Sequence, residues 1–269
     1  MTGVPTEAPQ PPEVPEPPPG HGLLSGKIVV VTAAAGTGIG FATAKRCVEE
    51  GATVVVSDAH ERRLGEAADT LAELAGERPL AVPCDVTDDA QVRHLYDAAV
   101  QRHGRFDVAV NNAGLGGRVE VVEMTDEQWS AVLDVTLTGT FRCTRAALGH
   151  LYAAGGGVIV NNASVLGWRA QAGQAHYAAA KAGVMALTRC SAVEAAPRGV
   201  RVNAVSPSLA LHPFLNRVMP DEELEELRRQ EVFGRGAETW EVANVIVFLA
   251  SDYSTYLTGE VVSVSSQHP

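Results

Sequence analysis

Tyr177 and Lys181 lie four residues apart in the alanine-rich stretch "AHYAAAKAG", and Ser164 stands thirteen residues before the tyrosine. Such a stretch is expected to be helical, so residues at i and i+4 project from one face and share a site. A lysine ammonium ~4–5 Å from a phenol, at an effective dielectric of ~20, is worth about 3–4 kcal/mol, and would lower a tyrosine pKa of ~10 by roughly 2–3 units. The phenol would then serve as an acid or base near neutral pH. Ser164 follows the apolar run "GVIVNN", and a hydroxyl at the C-terminal end of a strand can polarise a substrate carbonyl in the cleft there. A Tyr-x-x-x-Lys spacing alone is common on helices. Its weight comes from combination with Ser164 and with a second feature near the N-terminus.

That feature is "VTAAAGTGIG", residues 31–40. It lies between an apolar run and a helix-length segment, where backbone N–H groups and a helix N-terminus would face a bound pyrophosphate. Gly36, Thr37, Gly38, Ile39 and Gly40 are the candidate phosphate-binding residues. Gly38 and Gly40 would allow close approach, and Gly36 can take a left-handed conformation that costs another residue roughly 1–2 kcal/mol. Ala33 and Ala34 occupy the corner where such loops usually open with glycine. Asp58 follows eighteen residues after Gly40, near the ~20-residue interval at which an acidic side chain accepts from an adenosine ribose. A carboxylate there would repel a 2′-phosphate, favouring NAD over NADP; Arg62 and Arg63, slightly later, leave NADP open.

The elements that must position these residues are legible as a repeat. The runs "KIVVVT", "ATVVVS", "PLAVPC", "FDVAVNN", "GVIVNNAS", "VRVNAVS" and "EVVSVS" are candidate strands separated by helix-length segments such as 39–50 and 87–103. Continuous apolar character without polar alternation suits strands buried on both faces, hence an α/β fold with a doubly wound parallel sheet of about seven strands. One domain accounts for residues 23–269, with 208–232 expected to form a lid over the site. Residues 1–22 hold eight of the chain's fifteen prolines, a composition expected to stay extended and disordered.

The chain has 269 residues and a net charge of −11, which argues against nucleic acid or an anionic membrane as partner. No eighteen-residue apolar run and no secretory pattern is present, so a cytoplasmic location is expected. Cys47, Cys84, Cys143 and Cys190 are scattered without metal-ligand or redox spacing, and no metal is expected.

With these residues in view, the chain resembles the short-chain dehydrogenase/reductase family in its single-domain branch, over about residues 23–264. The motifs that carry the resemblance are the glycine loop, Asp58, "CDVTD" at 84–88, "NNAG" at 111–114, Ser164 with "YAAAK", and "VNAVSP" at 202–207. The resemblance implies a Rossmann fold and hydride transfer between a nicotinamide and a substrate carbon. Tyr177 would be the acid/base and Lys181 would also bind the nicotinamide ribose. Asp85 and Val86 would flank the adenine, and Asn111, Asn112, Ala113 and Gly114 would line the cofactor groove and steady the central strands. Pro207 would border the cofactor. Thr136 stands where the family usually has the asparagine completing its catalytic tetrad; threonine retains the backbone carbonyl but is not expected to reproduce the amide. Ser208, His212 and the ending "VSVSSQHP" also depart from the usual pattern. A homotetramer packed through 125–153 and 174–195 is implied as well.

For substrate, Leu166, Trp168, Leu209, Leu211, Phe214 and Leu215 suggest an apolar pocket for a secondary alcohol or ketone, with Arg118, Arg169 and Arg217 available to a CoA thioester. The resemblance leans toward 3-oxoacyl-thioester reductases and actinobacterial members, some associated with steroid or acyl-CoA breakdown. His212 is placed to contact cofactor or substrate or to lie on the surface, whereas His176 points away from Tyr177 and reads as structural. The departures also admit a catalytically weak dinucleotide-binding regulatory protein on the same fold.

Overall fold

The computed structural model describes residues 12–212, 215 and 221–266. The strands are β1 (Ile28–Val31), β2 (Thr53–Asp58), β3 (Leu80–Pro83), β4 (Val108–Asn111), β5 (Gly157–Asn162), β6 (Val200–Pro207), the short β7 (Ala210–Leu211) and β8 (Ala237–Glu238), and β9 (Val261–Val264). Seven of them form one parallel sheet in the order β3-β2-β1-β4-β5-β6-β9. Each of the seven apolar runs thus becomes a strand of the expected sheet. The order reverses between β1 and β4, and in an open α/β sheet ligands bind in the crevice outside the carboxyl ends of the strands at such a point.

The helices are α1 (Ile39–Glu49), α2 (Glu61–Ala75), α3 (Asp89–His103), α4 (Asp126–Leu133), α5 (Gly139–Ala154), α6 (Ala175–Ala195), α7 (Asp221–Gln230) and α8 (Thr239–Ala250). Val29, Val31, Val54 and Val56 pack with Ala44, Leu64, Leu71 and Ile246 on one sheet face, while Val30, Val55, Ala109 and Ile159 pack with Leu95, Tyr96, Ala147 and Leu151 on the other. Alternate residues of one strand therefore enter opposite cores, which is why the strand sequences show no polar alternation.

A buried polar ladder crosses the centre of the sheet. Asn111 and Asn161 are register partners on β4 and β5, and Asn111 Nδ2 donates to Asn161 Oδ1 at 2.9 Å and to Thr144 Oγ1 at 3.1 Å. Tyr96 OH donates to Asn111 Oδ1, and Asn161 Nδ2 to Thr188 Oγ1. The ladder ties both strands to α3, α5 and α6, and its buried amides are costly to leave unpaired, so it specifies register at the strand ends that face the site.

Two segments carry contacts that composition does not reveal. The proline-rich segment does not stay free to residue 22: Arg46 of α1 donates to the carbonyls of Pro18 and Pro19, and the N–H groups of His21 and Leu23 donate to Glu50 Oε2. Arg46 and Glu50 are themselves a buried ion pair, a combination no reading of proline content reveals. In the lid, β7 pairs with β8, and α7 begins at Asp221 with Leu224 buried. Phe214 and Arg217 lie outside the described residues. Cys47, Cys84 and Cys143 are buried and Cys190 is exposed, all unpaired.

Candidate functional site

The glycine loop turns through the left-handed region at the position where its sequence departs from glycine. Ala33 has φ +50°, and among the described residues it is the only non-glycine in the left-handed region. It takes the conformation glycine would supply, at a cost of roughly 1–2 kcal/mol. Gly36 is also left-handed, at φ +84°. A Cβ on Gly40 would lie 2.1 Å from the Ala33 carbonyl oxygen and 2.5 Å from Asn112 Nδ2, so only glycine lets α1 start this close to β1 and β4.

The loop suits an anionic ligand. Gly38 caps α1 without any side-chain hydrogen bond, and the first turn carries no acidic residue, leaving N–H groups at the positive end of the helix for a phosphate. Around Gly36 and Gly38 the position of a Cβ meets nothing within 4 Å. At the end of β2, Asp58 accepts from Ala35 N at 3.3 Å and His60 N at 2.9 Å, which fixes the carboxylate beside the loop. Arg62 is occupied by Glu66 on α2. Asp85 is exposed, its Oδ1 accepting from Thr87 N and Oγ1, and buried Val86 packs where a side chain on Gly139 would sit. Asn112 bonds the first loop directly, donating to the carbonyls of Thr32 and Ala33, and Thr32 Oγ1 accepts from Asn112 N and Ala113 N. The loop and Asn112 therefore meet at the switch point, while Asp58 ends β2 and Asp85 and Val86 follow β3. Pro207 ends β6, beside β9.

Ser164, Tyr177 and Lys181 come together as their spacing predicts. Ser164 leaves β5 and caps the short turn Val165–Gly167, its Oγ accepting from Leu166 N, and it lies near enough to Tyr177 to pull the phenol's pKa down. Lys181, one turn along α6, is buried. Its Nζ is 5.6 Å from the centre of the Tyr177 ring and donates to the main-chain carbonyl of Asn162. Gly114 passes so close that a Cβ there would be 3.5 Å from Lys181 Nζ.

The electrostatics correct one expectation. Burial pushes the Tyr177 phenol up to about 12, with Ser164 pulling the other way, and burial brings Lys181 down to about 8. The lysine does not depress the tyrosine as the spacing suggested. Its ammonium is committed to a carbonyl, and desolvation of both side chains outweighs their attraction.

Thr136 also departs from expectation. It lies in a π-helical turn, Asp134–Thr138, between α4 and α5. Its hydroxyl accepts from Leu115 N at 3.0 Å and donates to Leu115 O at 3.1 Å. One hydroxyl thus supplies both the acceptor and the donor that a carboxamide offers on two atoms. Its carbonyl accepts from Thr140 Oγ1 at 2.7 Å, so Thr136 braces the loop that runs past Lys181.

His176 is buried, with Nε2 3.0 Å from where a Cβ on Gly117 would be, in keeping with a packing role. His212 is half-buried, and desolvation lowers its pKa. Leu166, Leu209, Leu211 and Leu215 are half-buried and Trp168 is exposed. The residue that sequence reasoning missed is Asn162; its signal was the matching doublets "NN" at 111–112 and 161–162, which the β4–β5 register sets side by side. Among the described residues no group of three or more His, Cys, Asp or Glu could hold a metal, and no helix is long and apolar enough to cross a membrane.

Comparison with known proteins agrees with this geometry. The family described as Enoyl-(Acyl carrier protein) reductase matches residues 33–266. The chain is 66% identical over 251 residues, 93% of its length and 96% of the relative's, to the (5R,7aS)-5-hydroxy-7a-methyl-1-oxo-2,3,5,6,7,7a-hexahydro-1H-indene-carboxyl-CoA reductase of Mycobacterium tuberculosis. A crystal structure of a short chain dehydrogenase from Mycobacterium smegmatis superposes with a TM-score of 0.86 at 60% identity, covering 96% of this chain and 99% of that one. Carveol dehydrogenase from Mycobacterium avium, in complex with NAD, gives a TM-score of 0.84 at 30% identity, covering 91% and 98%.

Proposed function

Because the chain belongs to the short-chain dehydrogenase/reductase family, we propose that this oxidoreductase reduces a hydrophobic ketone carried on a CoA thioester, using NADH, with Tyr177 as the proton donor. The observation that carries the reading is the gathering of Ser164 and buried Lys181 around the Tyr177 phenol, with Lys181 Nζ 5.6 Å from the ring centre. The dinucleotide, when bound at the glycine loop, supplies the hydride. The chain supplies the rest: Ser164 orients the substrate carbonyl, Tyr177 delivers its hydroxyl proton to the carbonyl oxygen as negative charge develops there, and the Lys181 ammonium stabilises the tyrosinate left behind. A phenol held near 12 is protonated throughout the neutral range, so the proton donor is in place for ketone reduction there.

The substrate class rests on two supports. The half-buried leucines 166, 209, 211 and 215 offer apolar surface, and the Mycobacterium tuberculosis relative is named for reducing a bicyclic carboxyl-CoA. The preference for NADH rests on the fixed carboxylate of Asp58; the NAD complex of carveol dehydrogenase is a precedent on the same fold. Of the three departures that admit a non-catalytic protein, Ala33, Thr136 and Ser208, the first two are compatible with this reading: Ala33 takes a left-handed turn, and the Thr136 hydroxyl meets both polar groups of Leu115. A cytoplasmic homotetramer is part of the same proposal. Trp129 on α4, Phe141 on α5 and Val193 on α6 are exposed, on the segments where copies would pack.

Calorimetric titration with NADH and NADPH in parallel tests the cofactor assignment. NADH is expected to bind at least about tenfold, 1.4 kcal/mol, more tightly than NADPH, and Asp58→Ser to narrow that gap. Equal affinity for both would overturn the role given to Asp58, and binding of neither would overturn the dehydrogenase reading.

A further inference from the structure

Asn112 and Asn162 follow the register partners Asn111 and Asn161 at the ends of adjacent strands. The orientation of the Asn112 amide is set by its surroundings. Its Nδ2 donates to the carbonyls of Thr32 and Ala33 at 3.3 and 3.1 Å, so its Oδ1 must find a donor on the other side. Asn162 Nδ2 is that donor, at 2.8 Å. The main-chain carbonyl of the same Asn162 receives the Lys181 ammonium. A continuous chain of hydrogen bonds therefore runs from the left-handed Ala33 through Asn112 and Asn162 to Lys181. The start of α1 presses on the same point, since a Cβ on Gly40 would strike both the Ala33 carbonyl and Asn112 Nδ2.

Serving Asn112 leaves Asn162 Oδ1 buried without a hydrogen-bond partner. An orphaned buried acceptor is costly, and a residue present only for packing would gain by being apolar. We propose that Asn162 is a positioning residue: its amide pairing with Asn112 couples the dinucleotide loop to the main-chain carbonyl that holds Lys181. The inference rests on the dehydrogenase reading above. Binding at the loop and placement of the lysine are then one structural event, because a shift of Ala33 moves Asn112, and with it the Asn162 backbone.

The test uses Asn162→Leu, which matches the side chain in size but lacks the amide, Asn112→Leu, and the double variant. NADH affinity is read by calorimetry, and the Lys181 titration by NMR of the 15N-labelled Nζ in the unliganded protein. Asn162→Leu is expected to weaken NADH binding about tenfold and to shift the Lys181 titration. The double variant should bind no more weakly than the worse single variant, since both break one chain. If leucine prevents folding, Asn162→Asp keeps the shape, sets two acceptors face to face, and should weaken NADH binding in the same way. Unchanged NADH affinity and an unchanged lysine titration in a folded variant would overturn the coupling, as would additive losses in the double variant. Failure of the wild-type protein to bind NADH would instead overturn the dehydrogenase reading, independently of the variants.

Discussion

Lys181 holds its Nζ 5.6 Å from the centre of the Tyr177 ring, yet its hydrogen bond goes to the carbonyl of Asn162 and not to the phenol. The two side chains are thus neighbours whose protons are held separately, the phenol near 12 and the ammonium near 8, each displaced by burial. On the proposed reading, this arrangement governs how the rate depends on pH.

Ketone reduction needs the Tyr177 proton and the Lys181 charge together. Its kcat/KM is expected to be flat below pH 8 and to fall as pH rises through about 8, where Lys181 loses its proton. Alcohol oxidation runs the same transition state in reverse, from the tyrosinate with Lys181 still charged, one proton below the fully protonated pair; its kcat/KM should rise as pH approaches about 8 and level off above it. Profiles of kcat/KM in both directions check this, since that parameter reports the ionisations of the free enzyme. A reductive rate that increases through pH 8 would contradict the assignment.

The buried lysine also costs stability. Its folded-state value of about 8 lies below the ordinary lysine value of 10.5, so between those limits the unfolded chain binds more protons and stability rises with pH. Lys181→Met removes the buried charge while keeping the stem. It should stabilise the protein by about 1–3 kcal/mol at pH 7, after loss of the bond to Asn162, and the advantage should shrink toward pH 10.5. Urea unfolding at pH 7 and at pH 10 measures both values, and a gain that does not shrink would count against the cause given.

Ala33 offers a backbone test. Glycine relieves its left-handed strain but gives the unfolded chain more freedom, so Ala33→Gly should stabilise by about 0.5–1 kcal/mol net. NADH affinity should hold or improve, because the loop is already in the shape glycine prefers. Thermal unfolding of the unliganded variant reads the first quantity and calorimetry the second; destabilisation would mean that the Ala33 methyl is needed for packing.

The sheet was legible because its strands are buried on both faces, and "KIVVVT" and "VRVNAVS" can hardly be anything else in a βα repeat. Ser164, Tyr177 and Lys181 were legible because two of them share a helix face and the third ends a strand. What sequence left hidden depends on burial and on hydrogen bonds between distant residues. The Tyr177 and Lys181 ionisations follow from desolvation, which spacing does not reveal. Thr136 looked like a lost amide until its hydroxyl was seen to meet both polar groups of Leu115, twenty-one residues away. The docking of Pro18 and Pro19 needed the buried Arg46, and the role of Asn162 needed the β4–β5 register.

The central claim is that Tyr177 supplies the proton for hydride transfer, and Tyr177→Phe tests it with a single atom removed. Turnover of NADH with a hydrophobic ketone thioester should fall by about 10²–10⁴-fold in the variant, while calorimetric affinity for NADH stays within about twofold of wild type, a difference of only a few tenths of a kcal/mol. Undiminished turnover in a folded Tyr177→Phe protein would show that the proton comes from elsewhere and would contradict the account.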